Sequence, residues 1–218
     1  MMFFKLLLRE LQVLKSQSGL GLQAMAAYAL MVSLFPFLLG PWPHLLAQAG
    51  PAFIWLMSLM IFLMVMPQIF QKDVDEGGID LLRTTPFSPL MILSTKGLAL
   101  ILGLGLPLLL VTICLSLLYD MGSESLFFLW ITLALSFPLL ISFVLFGSIL
   151  GASSQTAGSF FIVFLILPFT LPLVLLSLQV IEEGSLMGSF RLILALNLVM
   201  IPFSLGMASY MMRDVFAR

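Results

Sequence analysis

Charged residues are scarce in this 218-residue chain: they make up 9% of it, whereas hydrophobic residues make up 61%. A soluble domain carries about 25–35% Lys, Arg, Glu and Asp on its surface, so this composition excludes a soluble globular protein. Cysteine is nearly absent as well. Cys114 is the single cysteine, which excludes an intrachain disulfide and a cysteine-based metal site. We expect Cys114 to be a small apolar packing residue.

Two further absences bear on how the protein is energised. No Asp, Glu, Lys, Arg or His lies deep in an apolar stretch, whereas ion-coupled carriers bury such a group as a relay. No GxxxxGK[ST] phosphate-binding loop occurs, so ATP hydrolysis by that route would need a separate ATPase. If the protein is a transporter, we expect its energy to come from outside this chain, and we expect no catalytic and no metal-binding residues. An intramembrane protease is disfavoured, because no GxSxG motif accompanies the single histidine.

Long apolar stretches dominate the chain. Six of them reach the length of about 20 residues that a helix needs to cross a hydrocarbon core of about 30 Å. They run over residues 20–40, 50–71, 92–118, 126–150, 158–180 and 190–212. The pattern predicts an all-α membrane protein with six transmembrane helices in one permease domain, residues 1–218. A cleaved signal peptide is the alternative for the first stretch, but that stretch exceeds the usual length of about 7–15 residues.

The basic residues fall in alternate gaps between these stretches. They are Lys5, Arg9 and Lys15 before the first, Lys72, Arg83 and Lys96 around the second gap, and Arg213 and Arg218 after the last. Arg191, at the edge of the sixth stretch, is the exception. The positive-inside rule then places both termini in the cytoplasm. We expect a multi-pass protein of a bacterial inner membrane, or of an organelle derived from one.

Residues 1–16 form an amphipathic segment ahead of the first span. The apolar residues that recur at helical spacing are Phe3, Phe4, Leu7, Leu8, Leu11 and Leu14. Lys5, Arg9, Gln12 and Ser16 fall on another face. The pattern predicts a helix that lies in the cytoplasmic interface with its basic face toward lipid headgroups. The alternative is a basic flank that only sets topology.

Proline and small residues mark the spans themselves. Each span contains at least one proline, and these include Pro36, Pro67, Pro107, Pro138, Pro168, Pro172 and Pro202. Proline kinks a helix, which suits spans that rearrange, although membrane helices are generally rich in it. Gly147 and Gly151 form a GxxxG motif, which predicts either self-association or close packing of the fourth and fifth spans.

The longest polar stretch, Gln71 to Lys96, joins the second and third spans. Its charged residues between these ends include Asp73, Asp75, Glu76, Asp80 and Arg83. Gly77 and Gly78 interrupt regular structure. The next residues, 79–84, are predicted to form a short helix that ends before Pro86. Leu81 and Leu82 are apolar anchors on this helix. A rigid acidic helix with a leucine pair fits a groove on another protein, whereas an ordinary solvated loop is the alternative.

Three segments carry a family resemblance. They are Leu34–Pro41 (LFPFLLGP), Phe70–Lys96 and Leu167–Ser177 (LPFTLPLVLLS). With them the chain resembles the CcmB family, the haem exporter permease subunits of cytochrome c maturation ABC transporters. The loop residues that match the family pattern are Phe70, Asp73, Gly77, Leu82, Pro86 and Lys96. Glu76, Ile79 and Asp80 replace Asp, Leu and Glu of that pattern, which preserves charge or apolar character.

The resemblance implies a fold and a set of partners. The fold would be an ABC-2-like permease, in which residues 1–16 form the interfacial elbow helix and residues 71–90 the cytoplasmic coupling loop. The residues that contact the ATPase would be Phe70, Asp73, Glu76, Gly77, Asp80, Leu81, Leu82 and Pro86. The partners would be a cytoplasmic ABC ATPase, a tryptophan-rich haem-handling membrane protein, a small single-span subunit and membrane lipid, with two copies of this chain per complex. No nucleic acid is expected.

Haem would then be the transported substrate rather than a tightly bound cofactor. Trp42 and His44 are candidate haem contacts in an outer loop, because imidazole is a common axial ligand and indole stacks on porphyrin. The alternative is an interfacial loop in which Trp42 belongs to the aromatic belt. Glu182 and Glu183 are expected in a solvated turn. Two other functions stay open: a non-translocating scaffold that transmits ATPase motion to a haem-handling partner, and an ABC-type permease for another hydrophobic substrate.

Overall fold

A computed structural model describes residues 2–16, 20–40, 42–70, 87–153 and 159–217. All regular structure in these ranges is helical. The elements are α1 (Met2–Ser16), α2 (Leu20–Leu39), α3 (Pro43–Val65), α4 (Pro89–Leu100), a π turn (Ile101–Gly105), α5 (Leu106–Ser116), a 3₁₀ turn (Leu117–Tyr119), α6 (Ser123–Ser153), α7 (Ser159–Glu183) and α8 (Ser189–Ala217). The all-α prediction is confirmed.

Six helical segments of the described chain are long and apolar enough to cross a membrane. They are Gly21–Leu39, Pro43–Phe70, Pro89–Tyr119, Ser123–Gly151, Ile166–Glu183 and Ser189–Arg213. This confirms the six predicted spans, but the second and third begin earlier than expected. Pro43 and Pro89 each occupy the first turn of a helix, where the missing N–H leaves no hydrogen bond unmade. The Ser88 hydroxyl also caps the third span by accepting from the Met91 N–H at 3.3 Å.

Helix α6 lies at the centre of the bundle. It contacts α3, α4, the π turn, α5, α7 and α8. The Ser204 hydroxyl on α8 donates to the Ser142 hydroxyl on α6 at 2.8 Å, and Gly147 of α6 is buried. The contact between α6 and α7 agrees with close packing of the fourth and fifth spans, one of the two predictions from the GxxxG motif.

Buried hydroxyl groups join the spans inside the bundle. Tyr28 of α2 and Thr112 of α5 share a hydrogen bond of 2.8 Å, and Ser58 of α3 donates to the Tyr28 hydroxyl at 3.3 Å. The Trp55 indole N–H on α3 points to the Thr132 hydroxyl on α6 at 3.4 Å. Because apolar surface alone does not drive helices together in lipid, such interhelical bonds and close packing select which faces meet.

The third span is interrupted by its π turn. The Leu106 N–H donates to the Ile101 carbonyl, which is the i→i−5 pattern of a π helix. Pro107 follows directly and has no N–H to continue the α-helical ladder. Gly105 lies in this turn, where an added Cβ would come within 3.2 Å of the Phe137 ring on α6. Proline was expected to kink this span, and the structure shows the form that the irregularity takes.

The prediction that Cys114 is a buried packing residue is wrong. The structure places it on an exposed face of α5, so it is not a packing residue of the bundle. The buried stripe of α5 is formed by Leu108, Thr112 and Ser116, which recur every four residues. A residue two positions from Thr112 points to the opposite side of the helix. Cys114 therefore faces outward from the bundle and does not contribute to its core.

Candidate functional site

The described part of the predicted coupling loop is its base, where the chain leaves the second span and enters the third. Phe70 ends the second span, and residues 87–96 lead into the third. The other predicted ATPase contacts lie outside the described residues: Asp73, Glu76, Gly77, Asp80, Leu81, Leu82 and Pro86. Their roles stay predictions, and the geometry of the site is that of the loop base.

Phe70 and Lys96 lie together at this base. The Phe70 side chain is 2% exposed, and the Lys96 ammonium lies 5.0 Å from the centre of its ring. A cation above an aromatic face within about 6 Å is stabilised by the negative charge density of the ring. The two residues that flank the loop are therefore in direct contact, which fixes the separation of the second and third spans where the loop begins and ends.

Glu10 of α1 completes the arrangement. Its Oε2 atom accepts a hydrogen bond of 2.9 Å from Lys96 Nζ, and the two side chains are only 6% and 4% exposed. A buried charge is costly to leave unpaired, so each partner holds the other in place. Glu10, Phe70 and Lys96, hereafter the loop-base cluster, join α1 to both ends of the loop.

The position of Glu10 follows from the periodicity of α1. Leu6 and Leu7, one turn before Glu10, are buried, whereas Lys5 is exposed and Arg9 is partly exposed. Glu10 therefore lies on the buried side of an otherwise apolar stripe. The predicted amphipathic helix is confirmed, its place in the cytoplasmic interface stays a prediction, and the buried contact of Glu10 was not predicted. The available signal was one carboxylate on the apolar face, which requires a cationic partner from elsewhere in the chain.

A small cavity adjoins the loop-base cluster. Its volume is about 20 Å³, and its lining includes Glu10, Leu14, Ile69, Lys96 and Leu100. This volume holds a single water molecule and excludes a porphyrin. The cluster therefore joins α1, the second span and the third span, and the cavity beside it is too small for a porphyrin.

The candidate haem contacts lie at the other end of the second span. Trp42 precedes α3, and His44 is in its first turn rather than in a loop as predicted, because Pro43 starts the helix. Both side chains are exposed. The span from Pro43 to Phe70 has 28 residues, which places His44 about 40 Å from the loop-base cluster. Within the described chain no three His, Cys, Asp or Glu side chains gather as metal ligands.

Acidic residues also occur at this far end. Glu182 and Glu183 are exposed, as expected for solvated groups, but they are the last two residues of α7 rather than part of a turn. Glu183 Oε1 accepts a hydrogen bond of 3.0 Å from the Ser189 hydroxyl at the start of α8. Gly184 follows with a φ of 57°, a conformation that favours glycine. The hydrogen bond between Glu183 and Ser189 joins the end of α7 to the start of α8.

Comparisons with known proteins find relatives over most of the chain. A family model described as CcmB protein matches residues 1–214. Heme exporter protein B of Rhodobacter capsulatus is 29% identical over 181 residues, which are 83% of this chain and 82% of that protein. Heme exporter protein B of Bradyrhizobium diazoefficiens is 28% identical over 199 residues, 89% of each chain. The Haemophilus influenzae protein of that name is 27% identical over 186 residues, 85% of this chain and 84% of that protein.

Proposed function

This chain belongs to the CcmB protein family, and we propose that it is the permease subunit of an ABC transporter that delivers haem for c-type cytochrome biogenesis. The match over residues 1–214 carries this proposal, since it covers all six spans together with α1. The relatives named Heme exporter protein B are similar over most of their length, which supports the same cargo.

ATP hydrolysis would come from a separate cytoplasmic subunit. The chain lacks a phosphate-binding loop, and residues 71–86 belong to its longest polar stretch, which makes them the proposed docking segment. We propose that Asp73, Glu76 and Asp80 face the ATPase while Leu81 and Leu82 insert into it. The remaining proposed partners are a tryptophan-rich haem-handling membrane protein and a small single-span subunit, in a complex with two copies of this chain. The membrane would be a bacterial inner membrane, with both termini in the cytoplasm.

The loop-base cluster is the proposed first link in the transmission of ATPase motion. Lys96 ties the loop to α1 through Glu10, and the π turn begins five residues after Lys96, where α4 ends. Gly105 in that turn packs against Phe137, whose ring lies 4.9 Å from the ring of Phe62 on α3. A displacement of the loop base would therefore reach the centre of the bundle through contacts between packed side chains.

A scaffold without its own haem pathway is the second candidate, and one observation favours it. Trp55, Phe62 and Phe137 fill the region between α3 and α6 and are at most 2% exposed. These large side chains pack closely, so a porphyrin has no room to pass between α3 and α6 within one copy of the chain. In this alternative the chain transmits motion to the haem-handling partner. The contacts at the loop base are the same under both proposals, so they do not distinguish a scaffold from a permease.

Staining for covalently bound haem tests the biological assignment. The samples are membrane and periplasmic proteins from a strain that lacks this gene, with and without a plasmid copy. We expect loss of all c-type cytochrome signal and recovery with the wild-type copy. The double variant Asp73→Lys/Leu82→Asp is expected not to restore the signal although the protein is present in the membrane. An unchanged stain in the deletion strain removes the haem assignment.

A further inference from the structure

An apolar groove lies among α1, the start of the first span and the middle of the third span. Its volume is about 400 Å³, within the range of about 300–1,000 Å³ for small-molecule sites. Leu11 and Leu14 of α1 form one wall and Met25 of α2 another. The π turn and Pro107 form the floor. All lining side chains are apolar, so the groove suits a hydrocarbon ligand.

Two glycines line this groove where α2, the π turn and α1 approach one another. A Cβ on Gly21 of α2 would lie 3.6 Å from the Gly103 carbonyl oxygen in the π turn. A Cβ on Gly103 would lie 3.4 Å from Leu14 Cδ1. The backbones of α2 and the third span therefore approach closely below α1. Alanine at Gly21 would fit, whereas a larger side chain must extend into the groove that Gly21 lines or displace the π turn.

The length of α2 sets the depth of the groove in the bilayer. This helix has 20 residues, or about 30 Å, so its whole length is needed to cross the hydrocarbon core. Gly21, Leu22 and Met25 belong to its first two turns and therefore lie at one boundary of that core. Leu22 is 72% exposed, which shows that the groove opens toward the surrounding lipid. Acyl chains of one leaflet occupy this depth.

The charge on α1 indicates the headgroup. Lys5 is exposed and Arg9 is partly exposed, one turn apart on the same helix that forms a wall of the groove. The exposed Phe4 and Leu8 lie between this basic side and the groove wall, as expected for a helix at the level of the headgroups. Basic side chains at this level attract anionic lipids.

We propose that the groove is a binding site for an anionic phospholipid, with one acyl chain between α1, α2 and the π turn and its headgroup near Lys5 and Arg9. The lining offers a porphyrin only the Met25 thioether, and neither an imidazole for iron nor a cation for propionates. A hydrocarbon chain needs none of these. The bound lipid would brace α1 next to the loop-base cluster, because Leu14 and Leu100 line both the groove and the small cavity beside Glu10 and Lys96.

Native mass spectrometry of the full chain tests this site. The protein is released from bilayers of equal phosphatidylethanolamine and phosphatidylglycerol, and the retained lipids are counted. We expect wild type to retain one phosphatidylglycerol and Gly21→Leu to retain it about tenfold less, because its side chain replaces the methylenes of the acyl chain. Met25→Trp fills the groove from another position and is expected to act alike. Gly206→Leu is the matched control, since Gly206 is an exposed helical glycine with no atom within 4 Å of its Cβ position.

The headgroup is tested separately. Lys5→Gln and Arg9→Gln are each expected to reduce the preference for phosphatidylglycerol over phosphatidylethanolamine about fivefold. Equal lipid retention in wild type, Gly21→Leu, Met25→Trp and Gly206→Leu would overturn the proposal. It would also be overturned if the groove-filling variants lost haemin binding or dimer mass while they kept the lipid, because the groove would then belong to cargo or to a second copy. The lipid-retention measurement does not depend on whether the protein delivers haem, so the two proposals can fail separately.

Discussion

Lys96 Nζ lies 2.9 Å from Glu10 Oε2 although 86 positions separate the two residues in the chain. The contact joins the N-terminal helix to the segment that leaves the predicted ATPase-docking loop. Both side chains are buried, and the Phe70 ring covers the ammonium. The loop therefore cannot shift at its base without moving α1 or breaking a buried ion pair.

Removal of one partner of this pair is expected to be costly. Glu10→Gln and Lys96→Met should each lower the free energy of unfolding by about 3–5 kcal/mol, because the remaining charge stays buried. The double variant should recover most of that loss. The measurement is SDS-induced unfolding in mixed micelles.

Arg9→Gln is the control for this series. Arg9 lies 3.9 Å from Glu10, but its side chain is 41% exposed, so the change should cost less than about 1 kcal/mol. A double variant as unstable as the sum of the two single variants would show that Glu10 and Lys96 do not interact.

Two helical glycines should respond in opposite directions to alanine. A Cβ on Gly50 of α3 would come within 2.7 Å of Tyr119 Cδ1 and Met121 Cε, so Gly50→Ala should destabilise the bundle by about 1–3 kcal/mol. Gly206→Ala meets no neighbour and should stabilise α8 by about 0.5–1 kcal/mol. Thermal unfolding of both variants in detergent measures the difference. Equal shifts would contradict the packing of Gly50 against the turn at Tyr119.

Orientation in the membrane is open to a labelling test. In a Cys114→Ser background, Gln12→Cys and Met187→Cys place single thiols at exposed positions at opposite ends of the bundle. An impermeant maleimide should label Met187→Cys in intact spheroplasts and Gln12→Cys only after the membrane is permeabilised. Labelling in the reverse order would place the termini outside the cytoplasm.

The spans were predictable because length and apolarity identify them without knowledge of their neighbours. Their buried faces were not, since a membrane helix is apolar all round and the sequence pattern does not mark the inner stripe. Cys114 illustrates this: it lies in an apolar stretch, yet Thr112 and Ser116 define the buried side of that helix. Hydroxyl-bearing residues at helical spacing were the better guide to the interior.

The candidate site was predictable only in part. The loop was located from its charge, and Phe70 and Lys96 were recognised as its ends. Their contact with Glu10 depends on how α1 folds back against α4, which no local pattern in the sequence encodes. Pro107 indicated an irregular third span, but the close approach of Gly103 to Leu14 and of Gly105 to Phe137 depends on how α1 and α6 pack against the π turn.

Haem flux in reconstituted vesicles tests the central claim most directly. The complex of this chain with its ATPase is incorporated into vesicles that contain an apo-haem protein, ATP and haem are added outside, and the Soret band of the internal protein is followed. We predict ATP-dependent haem uptake that Lys96→Met abolishes, whereas Arg9→Gln retains it. Intact ATPase activity with no haem uptake in the wild-type complex would contradict a permease and favour the scaffold.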